Sequence, residues 1–204
     1  MPLQLQKDIS ILDCLLKPAI ACWRVARLGQ KLIWRVGPTP TSSLARSLTA
    51  APCSAQALRK QVLKDGTLPT INPVVDLYNA VSLKYAIPVG GENHDAYVGR
   101  PFLTIADGTE TFDTLMNGEA VDDPPLLGEV IWRDDIGVTC RRWNWRQGTR
   151  TRLEAATARI WFILEALETM PDEALAEATD ALVEGLNALM PGYRIVSQAI
   201  AITK

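Results

Sequence analysis

Histidine is nearly absent from this chain: His94 is the only one in 204 residues. A Ser–His or Cys–His mechanism would have to use that one imidazole. It sits in Gly90-Gly-Glu-Asn-His-Asp95, a polar loop in which a solvated residue is a commoner outcome than a base. Cysteine is scarce too. Cys14, Cys22, Cys53 and Cys140 form no CxxC pair and no metal-like spacing, so neither a zinc site nor any other metal or cofactor is expected. Scattered thiols without a framework fit a reducing cytoplasm. No apolar run approaches the length of a membrane span, so no membrane partner is expected. Acidic residues are missing from Cys14 to Lys64, a stretch holding nine Lys or Arg. The net charge of −2 therefore conceals a basic front part, and local fields of that kind can still steer an anionic partner.

What is present has the composition of a globular protein, with 48% hydrophobic and 22% charged residues. The length suits one domain, or one domain with an appendage. Residues 1–53 look like the appendage. They are rich in Arg, Ser, Thr and Pro, the apolar positions between Ile9 and Trp34 are interrupted by Pro18 and Gly29, and Gly37-Pro-Thr-Pro-Thr-Ser-Ser43 reads as a linker. A basic, weakly ordered tail is the preferred reading. A targeting segment, or an N-terminus replaced by a damaged reading frame, would share the composition.

From residue 54 to 204 the pattern becomes regular. Ser54 is placed as the cap of a helix over Ala55–Lys64 that buries Leu58, Val62 and Leu63, with Gly66 as its stop. Asn72-Pro73 is a cap followed by proline at the first helical position. The helix it opens, Val74 to about Lys84, would bury Val74, Leu77, Tyr78 and Val81, with Asp76 and Asn79 on one face. Strands are expected near Pro101–Ala106, Gly128–Arg133 and Gly137–Trp145, the last two joined at Asp134-Asp135-Ile136-Gly137. Thr151-Arg-Leu-Glu154 fits a capping box for a short helix. Ile160–Leu164 reads as a buried strand and Pro171 to about Met190 as an amphipathic helix with Leu175, Leu182, Leu186 and Leu189 inward. Helices and strands without βαβ periodicity indicate α+β, a sheet packed against helices.

The densest chemistry lies in Cys140-Arg-Arg-Trp-Asn-Trp-Arg146. As an extended strand it would show Arg142, Asn144 and Arg146 on one face and Arg141, Trp143 and Trp145 on the other. Guanidiniums and indoles bind phosphates and stack on bases. An Arg–Trp cation–π ladder that only stiffens the surface would use the same residues.

Leu68-Pro-Thr-Ile-Asn-Pro-Val-Val-Asp-Leu-Tyr-Asn-Ala-Val-Ser82, Ile87-Pro-Val-Gly90, Gly128-Glu-Val and the Arg–Trp segment together resemble the stand-alone B3/B4 domain family. That family is related to the editing and tRNA-binding module of the phenylalanyl-tRNA synthetase β subunit. The resemblance implies a single α+β domain with tRNA as partner, no DNA partner, and hydrolysis in trans of the ester of mischarged aminoacyl-tRNA, making the protein a metal-independent deacylase. A non-catalytic RNA-binding module or a degenerate relative is the alternative. Two positions depart from the synthetase module. Gly90 stands where its Pro-Leu-His-Ala-Phe-Asp motif has histidine, and Arg152 aligns with its pocket glutamate; both speak against a tyrosine-clearing pocket.

An aminoacyl ester is already activated, so its hydrolysis needs a positioned water and a stabilised oxyanion more than a strong nucleophile. On this reading Asn79 and Asn144 orient water or ester, while Asp76 or Glu129 accepts the α-ammonium. Arg142 and Arg146 hold phosphates, and Trp143 or Trp145 stacks on the terminal adenosine. Each has a plainer role open to it: Asp76 as a helix-surface charge, the asparagines as structural amides, one tryptophan as core. Which amino acid and tRNA are involved, and the oligomeric state, have no signature in the sequence.

Overall fold

The computed structural model describes residues 53–166 and 170–198. The expected weak order of residues 1–53 falls almost wholly outside that range. The central helix begins where Asn72 directs it. The Asn72 side chain accepts the N–H groups of Val74 (3.1 Å) and Val75 (2.9 Å), Pro73 takes the position that needs no donor, and Ala86 ends the helix in a left-handed conformation. Helix α1 spans Ser54–Asp65, α2 spans Pro73–Tyr85, and α3 spans Asp172–Leu189. The cap of α1 is Cys53 rather than Ser54, and it makes no side-chain cap bond. Of the three residues expected to be inward on α1, Val62 is buried but Leu63 is 56% exposed.

Among the described residues eight strands accompany the helices: β1 Val89–Asn93, β2 Phe102–Ile105, β3 Asp113–Met116, β4 Glu119–Asp122, β5 Val130–Arg133, β6 Val138–Arg141, β7 Arg146–Gln147 and β8 Ile160–Leu164. They form three antiparallel sheets, ordered β1-β8, β2-β5-β6-β7 and β3-β4. The class is α+β.

One core lies between α2, α3 and the β1-β8 pair, and holds Leu77, Tyr78, Val81, Val89, Leu182 and Leu186. Burying each large aliphatic side chain there stabilises the fold by about 1.5–3 kcal/mol. Gly185 lets the helices approach closely, since a Cβ at that position would stand 2.5 Å from Leu77 Cδ1. A second, smaller core (Ala106, Phe112, Ile131, Val138) lies on the four-stranded sheet.

The expected strand Ile160–Leu164 is present as β8, half-buried and paired with β1. The expected helix after Thr151 is not. Residues 151–159 are irregular, the Thr151 side chain is buried, and the Glu154 N–H is taken by the Thr157 hydroxyl at 2.9 Å. Among the described residues no helix is long and apolar enough to cross a membrane.

Candidate functional site

The strand expected over Gly137–Trp145 stops at Arg141 and gives way to a turn over residues 142–145 before β7. Arg142 and Trp143 have φ of 47° and 65°, a left-handed conformation that costs energy in residues other than glycine unless neighbours hold it. Glu129 is one of the holders. Its Oε1 accepts the Arg142 N–H at 3.1 Å, while the Trp143 N–H donates to the Val130 carbonyl at 2.6 Å. The even–odd sorting of the Arg–Trp segment therefore fails, because it holds only for extended chain.

Arg141 shows the consequence. It is 4% exposed and turns inward. Its Nε and Nη2 donate to the two oxygens of Glu129, each at 2.9 Å, and its Nη1 donates to Asp123 Oδ2 at 2.6 Å. Its hydrogen bonds to Glu129 lead the causes that raise the Arg141 pKa, against the pull of burial. Glu129 also accepts the Leu126 N–H at 3.2 Å. Buried and surrounded by donors of its own chain, Glu129 anchors the turn.

Outside that anchor the turn presents cations on an indole. The Arg142 guanidinium lies 4.5 Å from the centre of a Trp145 ring and that of Arg146 5.8 Å away, both within cation–π range. Arg146 also reaches Asp123 at 3.5 Å and the Leu115 carbonyl at 3.2 Å. The cation–π ladder is thus built, and its arginine side chains are partly exposed, 23% for Arg142 and 31% for Arg146, although the Arg142 Nε itself is buried.

Asn144 points the other way. Its Nδ2 donates to Glu165 Oε2 at 2.7 Å, and its Oδ1 accepts the Ser54 N–H of α1 at 3.3 Å. Glu165 follows β8 directly; its Oε1 accepts Trp132 Nε1–H at 3.1 Å. Trp143 is a further hydrogen-bonding neighbour. All these donors are neutral, and among the described residues no salt bridge reaches Glu165. Burial consequently lifts its pKa from the ordinary 4.5 to about 7, with Asn144, Trp132 and Trp143 pulling it down. Sequence reasoning misses Glu165, since no motif surrounds it; its position right after an apolar strand is the only signal.

A second carboxyl lies deeper. Glu92 on β1 is 5% exposed, and burial lifts its pKa to about 7 as well. Tyr97 donates its hydroxyl to Glu92 Oε2. Cys140 on β6 feels both carboxyls: burial first, then Glu92 and Glu165, push its thiol well above the usual value.

The remaining two expected residues lie on α2. Asp76 accepts the Ile71 N–H at 2.8 Å and so braces the loop before the helix; Asn79 is buried. Asp76 and Glu92 both act on Tyr78, whose pKa is pushed up to about 12, chiefly by burial. The structure brings Glu129, Arg142, Trp145 and Arg146 together at the turn and Asn144 with Glu165 behind it. No direct contact joins Asp76 to either group.

The model of the B3/4 domain matches residues 38–181. The chain belongs to the B3/4 domain family. The match starts upstream of Ser54 and ends within α3, so the sheets, the turn and both carboxyls all lie inside the B3/4 domain. B3/4 domains are a family of the tRNA-binding and editing type. No curated protein matches this B3/4 chain.

Proposed function

We propose that this B3/4 protein hydrolyses, in trans, the ester of mischarged aminoacyl-tRNA. The observation that carries the reading is Glu165: a carboxyl that no salt bridge reaches among the described residues, poised near neutrality, held by Asn144 and Trp132 behind an Arg–Trp turn. A general base works best with a pKa close to the operating pH. Glu165 takes a proton from water as the water attacks the ester carbonyl. It returns that proton to the ribose oxygen as the C–O bond breaks, so the step is balanced. Asn144 fixes one oxygen of Glu165 and carries a second N–H that can meet the ester. Arg142 and Arg146 meet phosphates of the tRNA end, and Trp145 offers an indole for stacking. Trp143 serves Glu165. Glu129 holds the turn, and Asp76 and Asn79 support the α2 side of the domain, so the ammonium acceptor must be sought elsewhere.

The test is release of amino acid from a panel of mischarged tRNAs. Glu165→Gln and Asn144→Ala are expected to lower the rate by about a hundredfold or more while tRNA binding survives. A folded protein that binds tRNA and releases nothing from the panel leaves the second reading, a non-catalytic RNA-binding module. That reading is favoured by the Arg142–Trp145–Arg146 stack, which binds without any help from Glu165.

A further inference from the structure

Among the three hydrogen-bonding neighbours of Glu165, only Asn144 has a polarity that can reverse. Trp132 and Trp143 are indoles, which donate and never accept. A carboxamide does either, according to how its last torsion is turned. The main chain of Asn144 is held by its own N–H, which donates to the Arg142 carbonyl at 2.9 Å, so turning the amide over needs only the side chain to rotate. Turned over, it would set Oδ1 against Glu165 and Nδ2 against the Ser54 N–H. Against an ionised Glu165 that pairs acceptor with acceptor. Against a protonated Glu165 it does not: the carboxyl O–H would donate to Oδ1, and the neutral acid would gain the hydrogen bond that the carboxylate had lost.

Ser54 closes that option. Its N–H is a backbone group of fixed polarity, and Asn144 Oδ1 is its acceptor at 3.3 Å. Ser54 is the first residue of α1, where an N–H finds no acceptor within the helix, so the asparagine oxygen is what satisfies it. The reversed amide would leave donor facing donor. Charged groups do not override this geometry. The cations of the turn face other carboxylates, Arg141 and Arg142 meeting Glu129 and Arg146 meeting Asp123. The charged residues of α1 begin at Arg59, more than one helical turn beyond Ser54. Cys140 of β6 feels Glu165 and Glu92, and burial keeps its thiol protonated.

We infer that the Ser54 N–H is a positioning group for the proposed base: it locks the Asn144 amide with Nδ2 towards Glu165, so that Asn144 donates to the ionised carboxylate and cannot turn to serve the neutral acid. The catalytic meaning of the lock rests on the proposed reaction, but the lock itself is tested without tRNA. Ser54→Pro removes this N–H and no bond of the helix ladder. Proline is favoured at the first helical position, and Cys53, at φ −66° and ψ 161°, already has the extended conformation that a following proline requires. Carbon-detected NMR of the full chain follows the Glu165 carboxyl through its titration, the resonance being assigned by its loss in Glu165→Gln. Ser54→Pro is expected to raise the midpoint from about 7 by about one pH unit. Ser54→Ala, which keeps the N–H, is expected to titrate with the parent. A folded Ser54→Pro with the parent's midpoint, or a Ser54→Ala shifted as far as the proline variant, would overturn the lock. A second measurement needs no proline. In the parent the Ser54 amide proton is expected to move downfield as Glu165 ionises, because the charge polarises Asn144, and to stop doing so in Asn144→Ala. A Ser54 amide that ignores the titration, or follows it equally without Asn144, would overturn the lock as well. A shifted titration without release of amino acid from any mischarged tRNA would sink the deacylase reading and spare this one. Hydrolysis whose pH midpoint is unmoved in folded Ser54→Pro would do the reverse.

Discussion

Arg141 and Glu129 form a two-pronged ion pair, with both guanidinium–carboxylate contacts at 2.9 Å and both residues buried. The pair does more than join β6 to the loop before β5. Glu129 also receives the Arg142 N–H, so the same carboxylate fixes the left-handed start of the Arg–Trp turn.

Breaking one partner of such a pair leaves a buried, uncompensated charge, at a cost of about 3–5 kcal/mol. Arg141→Met is expected to lower urea-unfolding stability by that order, and Glu129→Gln by less, because it keeps the shape and some hydrogen bonds. The double variant should recover part of the loss. Additive losses in the double variant would show that the two residues act independently.

Asp134 organises the other end of the β5–β6 hairpin. It is fully buried and accepts N–H groups of Val98, Ile136 and Gly137 as well as two donors of Arg150. Burial alone would raise its pKa, but the Arg150 and backbone hydrogen bonds prevail and hold it below the ordinary 3.8. A depressed carboxyl contributes stability above its unfolded pKa and loses it as pH falls through the folded value. Asp134→Asn should therefore flatten acid unfolding below about pH 4 and cost stability at neutrality. Unchanged acid unfolding in the variant would contradict this role.

Glu92 and Glu165 act in the opposite sense. Each has a folded pKa raised from 4.5 to about 7, so the folded state keeps protons that the unfolded chain has released. Their contribution is greatest below pH 4.5 and is lost as pH rises through about 7. For the deeply buried Glu92 the loss is on the order of 3 kcal/mol. Urea midpoints measured from about pH 5 to 8 should fall for the parent protein and fall less for Glu92→Gln; parallel curves would refute the assignment.

Glu165 also sets a kinetic expectation. As a base it must be ionised, so the rate of ester hydrolysis should climb with pH and level off above about 7. A rate that falls through this range would exclude Glu165 as the base.

The Arg142–Trp145–Arg146 stack predicts how tRNA is held. Affinity should fall with salt. Arg142→Ala or Arg146→Ala should each make the slope of log K against log salt shallower, by about 0.7–0.9 for every phosphate that the arginine neutralises. Trp145→Ala should weaken binding with the slope unchanged. An affinity indifferent to salt would remove phosphates from the interface.

Local chemistry determined much of this molecule. Asn72-Pro73 starts α2 because a side-chain acceptor and a missing N–H are needed there and nowhere further along. Asp134 to Gly137 makes the hairpin turn, Ile160–Leu164 is a strand because its branched and aromatic side chains suit one, and the leucine spacing of α3 names Leu182 and Leu186 as core. The gathering of arginine and tryptophan is equally visible in the chain. Tertiary structure decided what those residues face. Period two could not survive at Arg142, because Glu129, thirteen positions earlier, claims both its N–H and the side chain of Arg141. Glu165 meets Asn144 and Trp132 from 21 and 33 positions away, and Glu92 of β1 meets Thr139 of β6 and Thr151 only where two sheets close on each other. A carboxyl acquires a pKa near neutrality through lost water, and that is a property of the folded surroundings rather than of neighbouring residues in the chain.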